Sequence, residues 1–209
     1  MARLILVRHA TSEWNALGIW TGWRDIGLAP EAEAEIMRLA DQLRDVHIHV
    51  AYSSTLKRAV ETLCILKGKL GITVPTFEDT ALNERDYGVY TGKNKWEVKA
   101  EVGEEEFQQI RRSWDHPIPE GETLEDVFNR IAPFYEKTLL PELRAGKDLL
   151  VVAHGNSLRA LIKHLENLTS AEVLTREVGI CEAHMYVIDP HGVVVSKEVR
   201  AENPHVGKV

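Results

Sequence analysis

Apolar residues fall into short runs and spaced stripes along this chain, and their spacing predicts its elements. Leu4-Ile5-Leu6-Val7 is apolar at consecutive positions, as a strand buried on both faces should be, and predicts a strand over Leu4–Arg8. Pro30 opens a helix in which Ile36, Leu39, Ala40 and Leu43 keep helical spacing. Val50–Ser53 is a second short strand, followed by a helix with Leu56, Ala59, Val60 and Leu63 on one face. Thr73–Phe77 is a weaker strand, and Pro75 inside it argues for an edge or a loop. Residues 78–122 are polar and irregular, with short helices over Lys95–Ala100 and Glu104–Trp114. Thr123-Leu124-Glu125-Asp126 has the form of a capping box and starts a long helix through about Leu143, with Val127, Ile131 and Phe134 inward. Leu149–Ala153 is the clearest strand; the helix Ser157–Asn167 follows, with Leu158, Leu161, Ile162 and Leu165 inward. The end reads as a hairpin, His184–Ile188 and Val193–Val199 around Pro190-His191-Gly192.

Strands alternating with helices predict an α/β fold: a mostly parallel central sheet with helices on both faces. No linker, repeat or low-complexity tract divides the chain. The expectation is therefore one domain over residues 1–209, with 78–122 inserted over its active edge.

Composition narrows the partners. Hydrophobic residues make up 44% and charged residues 27%, which is globular composition. No apolar run approaches the roughly 20 residues of a membrane span, and the N-terminal run is too short for a signal sequence. Cys64 and Cys181 form no metal-binding spacing and read as reduced thiols, so a cytoplasmic protein is expected. A net charge of −7 argues against nucleic acid or an anionic membrane as partner. A small anion remains compatible if basic residues converge locally.

Two strands end alike. Leu4–Val7 runs into Arg8-His9, and Leu149–Ala153 runs into His154-Gly155-Asn156. Ligands of parallel α/β sheets bind beyond the carboxyl ends of strands, so neighbouring strands would bring His9 and His154 into one crevice. Taken singly, each reads as a hydrogen-bonded histidine at a strand edge; two at equivalent positions point to function. The helix that follows His154 would turn backbone N–H groups toward an anion, and Arg8 and Arg58 can supply guanidinium donors. A neutral imidazole between arginines is a competent nucleophile for phosphorus. No metal-binding motif is present, so no metal is expected.

Arg8-His9-Ala10-Thr11-Ser12-Glu13-Trp14-Asn15 resembles the signature of the histidine phosphatase superfamily. Thr21-Gly22-Trp23, Leu82 to Gly88, Gly92-Lys93-Asn94-Lys95, Arg111-Arg112-Ser113-Trp114 and His154 to Leu161 resemble, in order, its cofactor-dependent phosphoglycerate mutases. The resemblance implies that His9 is the phosphorylated nucleophile, with Arg8, Arg58 and His154 around the transferred group. It implies that Glu84 shuttles the proton of the substrate hydroxyl. Asn15, Thr21, Gly22, Arg85, Tyr87, Lys95, Arg111, Arg112, Gly155 and Asn156 would bind the substrate. Trp20, Trp23 and Trp96 would pack loops. The implied cofactor is 2,3-bisphosphoglycerate, which primes His9, and the implied partner is a small phosphorylated substrate.

The chain departs from the family pattern in places. Ala10 stands where a glycine is usual. Ile180-Cys181 stand where the family has Thr-Gly, which predicts a lost hydroxyl donor and a thiol crowding the phosphate. The insertion after the arginine pair is short, and only ten residues follow Val199, so a monomer or weak homodimer is expected. The leading reading is interconversion of 3- and 2-phosphoglycerate. The alternative is a phosphatase using the same phosphohistidine, and a silent phosphate-binding module comes third.

Overall fold

The Leu4–Val7 run forms the inner part of β1 (Ala2–Arg8), and the Leu149 run forms β4 (Leu149–Ala153) beside it. β2 (Val50–Ser53) flanks β4, and β3 (Thr76–Glu78) closes that edge. β5 (Ala183–Ile188) and β6 (Val194–Arg200) are the C-terminal hairpin on the other side. The computed structural model describes residues 1–204, and its strand order is β3-β2-β4-β1-β5-β6. The first four strands run parallel, while β5 is antiparallel to β1 and β6 to β5.

Side chains alternate across the sheet and feed two cores. Leu4, Leu6, Leu149, Val151 and Tyr52 enter one cluster, while Ile5, Val7, Leu150, Val152 and Ala51 enter the other. The second is covered by α2 (Ala32–Leu43) and α3 (Lys57–Leu70) through Ile36, Leu39, Leu63 and Leu66. The first is covered by α6 (Leu124–Phe134) and α8 (Gly155–Glu166). The predicted box at Thr123 is present: its hydroxyl accepts from the Asp126 amide, and Asp126 answers on the Thr123 amide.

Four local differences from the sequence expectation have physical reasons. The long helix after Thr123 is made of α6, a π-helical stretch Tyr135–Leu139, and α7 (Leu140–Arg144). Pro133 and Pro141 withdraw amide donors on either side of the wider turn. β3 starts at Thr76 because Pro75 has only its carbonyl to give, which accepts from Ala51 N–H at 2.9 Å. α8 begins two residues before the predicted Ser157, directly at the end of β4. The helices α1 (Glu13–Leu17) and α9 (Ser170–Leu174) are five residues each, too short to carry an apolar stripe. Their capping boxes, Ser12/Asn15 and Thr169/Glu172, were the legible signal.

Within 78–122, α4 (Lys95–Val102) and α5 (Glu104–Arg112) pack on a third small core of Trp20, Val98, Phe107, Ile110 and Ile118. Gly88 ties this region together. Its φ is +48°, and a Cβ there would lie 2.0 Å from the Pro119 carbonyl oxygen. Cys64 is exposed and Cys181 buried, both as free thiols. Among the described residues no helix is long and apolar enough to cross a membrane.

Candidate active site

Because β1 and β4 are parallel neighbours with Arg8 opposite Ala153, the two histidines emerge side by side. The His9 and His154 rings are 4.9 Å apart and both are buried. His9 Nδ1 lies 2.6 Å from the Ala10 carbonyl, which can only accept, so Nδ1 carries the proton and Nε2 keeps the lone pair. Burial, then Arg58 and Arg8, hold His9 well below the usual imidazole range, which keeps the ring neutral at physiological pH. His154 is depressed by burial, Arg58, His9 and Arg8 in the same way. Its Nε2 bonds the Ser54 hydroxyl at 2.6 Å.

The arginines at this end are anchored by carbonyls. Arg8 Nη1 donates to Val178 O at 2.7 Å. Arg58, fully buried on the first turn of α3, donates to Gly22 O and Arg24 O at 2.9 and 3.0 Å. Burial lowers Arg58 to about 10, which leaves it charged at neutral pH. The loop after His9 is tied down by two residues that sequence reading did not single out. Glu35 accepts from both the amide and the hydroxyl of Thr11, at 2.8 and 2.7 Å. Thr62 accepts from the Ala10 amide at 3.1 Å. Ala10 itself sits in the core without exposed surface.

Glu84 enters from the 78–122 region. Its Oε1 accepts from the Arg85 and Asn156 amides at 2.7 and 3.2 Å, the second at the start of α8. Its carbonyl is held by Trp23 Nε1 and Arg130 Nη2 at 2.6 and 3.0 Å. Arg130, paired with Glu122 at 2.8 Å, also holds Ala81 O and Asn83 O, so it braces the segment that presents Glu84. A Cβ on Gly155 would stand 3.6 Å from the Arg8 guanidinium carbon and 3.8 Å from Glu84 Oε2, narrowing the space between them.

A cleft of about 100 Å³ runs from His9 outward. Arg8, Arg58, Glu84, Gly155, Asn156 and Tyr87 line it. Asn15, Thr21, Gly22, Lys95, Arg111 and Arg112 complete the set of sequence-predicted residues that line it. The Thr21 hydroxyl is buried without a hydrogen-bond partner among the described residues. Asn156 Nδ2 donates to the Tyr87 hydroxyl at 3.0 Å. Burial lowers Lys95, and burial followed by Arg112 lowers Arg111.

Two predicted residues stand behind the lining. His154 lies beneath His9, and Arg85 is buried with its guanidinium 4.6 Å over the Tyr87 ring and Nη2 on the Ile110 carbonyl. Arg85 thus positions Tyr87 and α5. Trp20 does more than pack a loop: it lines the cleft while stacking on Tyr87 at 5.5 Å. Ile180 and Cys181 correct an expectation. Both side chains are buried in the same apolar cluster as Ala10 and do not line the cleft. Cys181 takes φ +52°, the left-handed region that glycine prefers, and turns its thiol into the core. Glu177 and Val178 of the same loop reach the cleft instead. Arg159, in the motif after His154 but given no role there, also lines it, with Nη2 on Asn156 Oδ1 and Nη1 buried without a partner.

Among the described residues, one group has metal-ligating spacing: His47, His49 and Asp148. It lies at the amino ends of β2 and β4, opposite the cleft. His49 Nδ1 accepts the Asp148 amide, and both Asp148 oxygens are held by Arg3.

The chain matches the family described as histidine phosphatase superfamily (branch 1) over residues 4–199. It is 43% identical to a 2,3-bisphosphoglycerate-dependent phosphoglycerate mutase of Rhodopseudomonas palustris, over 95% of this chain and 98% of that one. It is 43% identical to one of the same name from Cytophaga hutchinsonii, over 89% and 87%. Among solved structures, Bacillus stearothermophilus YhfR superposes with a TM-score of 0.84 at 24% identity, covering 99% of this chain and 100% of that one. A putative alpha-ribazole-5'-P phosphatase from Escherichia coli gives 0.80 at 22% identity, covering both chains fully. These last two likenesses speak for the fold.

Proposed function

This chain belongs to the histidine phosphatase superfamily and, within it, to the 2,3-bisphosphoglycerate-dependent phosphoglycerate mutases, and from that premise we propose how its residues divide the work. The reaction is interconversion of 3- and 2-phosphoglycerate through a phosphohistidine. The observation that carries the assignment of roles is the neutral His9, with its free lone pair on Nε2, between Arg8 and Arg58. Nε2 attacks phosphorus in line with the leaving hydroxyl. Arg8 and Arg58 serve the equatorial oxygens, with His154 behind His9 as the third group of that cluster. Glu84 returns the proton to the departing hydroxyl and removes it from the hydroxyl that attacks next.

The residues fit the cofactor that the relatives' name states. Two anionic groups need two sets of cations, and the cleft offers Arg8 and Arg58 beside His9, and Lys95, Arg111 and Arg112 from the 78–122 region. Thr21 Oγ1 and Arg159 Nη1 are buried polar atoms along it without partners among the described residues. When bound, 2,3-bisphosphoglycerate supplies the phosphoryl group that loads His9. Guanidinium groups occupy the places where a metal would neutralise phosphoryl charge, so the proposal includes no metal step.

The test is conversion of 3-phosphoglycerate with and without added 2,3-bisphosphoglycerate, together with detection of an acid-labile phosphoenzyme. Strong activation by the bisphosphate and labelling at His9 are expected. Hydrolysis of phosphomonoesters without isomerisation would favour the phosphatase reading.

A further inference from the structure

Among the described residues two carboxylates line the cleft, and the mechanism uses only Glu84. The other, Glu177, stands among the distal cations. Its Oε1 is 2.5 Å from Arg112 Nη2, and its charge also favours the ionised forms of Arg8, Arg111 and Arg159. An acid in a pocket built for anions opposes binding unless it has a further task.

The geometry suggests one. Glu177 is 46% exposed, whereas the residue after it, Val178, is buried and pinned by Arg8. The backbone is therefore fixed while the carboxylate is free to turn. On its other side lies a second cavity of about 350 Å³, in which Arg176 and Lys197 are already paired with Glu166; it gives the Glu177 side chain room to swing off Arg112 rather than a vacant cation to replace it. Arg112 Nη2 is one of the two prongs with which a guanidinium grips a planar or tetrahedral anion, and Glu177 already holds it.

We propose that Glu177 is the exchange partner of the substrate's second anionic group on Arg112. Carboxylate and ligand compete for the same guanidinium, so the distal anion is held loosely. A bound intermediate can release Arg112 and turn round without leaving that arginine unpaired. The inference rests on the mutase reading above, because only a reaction that reorients its intermediate benefits from a loose distal grip.

The test compares two ligands of similar size, 3-phosphoglycerate and glycerol 3-phosphate, which differ in the second anionic group. Binding of each is measured by calorimetry in wild type, Glu177→Gln and Glu177→Asp. Glu177→Gln should tighten 3-phosphoglycerate relative to glycerol 3-phosphate by about fivefold, the scale of one partly exposed ion pair. Its kcat for phosphoglycerate should fall while KM falls with it. Glu177→Asp, which keeps the charge, should stay closer to wild type on both measures. An affinity ratio that is unchanged or lower in Glu177→Gln would overturn the proposal, as would a kcat that holds or rises. A wild-type enzyme that binds 3-phosphoglycerate without converting it would refute the mutase reading, and the affinity ratio would still decide the competition.

Discussion

His9 and Arg112 face the same cleft, yet they are held there by different kinds of structure. The His9 end grows from the carboxyl ends of β1 and β4, between two cores, and its histidines and Arg58 are buried. His9 is held by the Ala10 carbonyl, His154 by the Ser54 hydroxyl and Arg58 by the Gly22 and Arg24 carbonyls. The Arg112 end stands on α4 and α5, which rest on a third core of only five buried residues. Its arginines are half-exposed, and one is shared with a carboxylate. In-line transfer demands fixed geometry, whereas holding a group that must later let go does not. On the roles proposed above, the difference in construction follows that difference in task.

Substitutions at the rigid end should do the most damage. His9→Ala should abolish the phosphoenzyme, and His154→Ala should slow its formation while leaving trace labelling; persistent label in the His9 variant would remove His9 from its role. Glu84→Gln comes next. It should spare labelling from a donor with a good leaving group and cut turnover of phosphoglycerate by about 10²–10⁴-fold, the usual worth of a general acid–base group. Equal losses with both donors would make Glu84 structural.

The distal end should give a smaller and more selective effect. Arg111→Ala with Arg112→Ala should lower mutase turnover relative to hydrolysis of a small phosphomonoester by about a hundredfold. That figure takes about 1.5–3 kcal/mol for each charge-assisted contact, added with allowance for coupling. A parallel fall in both activities would assign the pair to folding alone.

The smallest effect is on stability and belongs to the buried histidines. Both have folded-state pKa values well below the usual 6.5, so below that pH the unfolded chain takes up protons that the folded protein refuses. Stability present above pH 6.5 is lost as pH falls, at up to about 1.4 kcal/mol per pH unit for each histidine. Urea unfolding at pH 7, 6 and 5 should show this slope, and His154→Gln should remove one histidine's share.

The sequence made the rigid end legible because strand runs are dense signals. Leu4–Val7 and Leu149–Ala153 placed both histidines, and the sheet paired those strands in register. The distal residues were legible through resemblance, since nothing in the spacing of Lys95, Arg111 and Arg112 shows that they converge. What escaped was long-range and polar. Glu35, Thr62 and Arg130 act through partners far along the chain, and an isolated Glu or Arg on a helix looks the same whether it braces a loop or faces solvent. The Ile180-Cys181 expectation failed for a related reason. Position in a motif does not give the direction of a side chain, and here the loop turns Ile180 and Cys181 inward while Glu177 faces the cleft.

The central claim is that the His9 side of the cleft moves the phosphoryl group while Lys95, Arg111 and Arg112 hold the glycerate that exchanges it. Its most direct test is the fate of that group in a single turnover. Enzyme carrying labelled phosphate on His9 is mixed with excess 3-phosphoglycerate, and the label is followed into glycerate esters and inorganic phosphate. The account predicts that nearly all of it passes to the ester in wild type, with inorganic phosphate taking over when Arg111 and Arg112 are removed. Label appearing mainly as inorganic phosphate in the wild-type enzyme would contradict it.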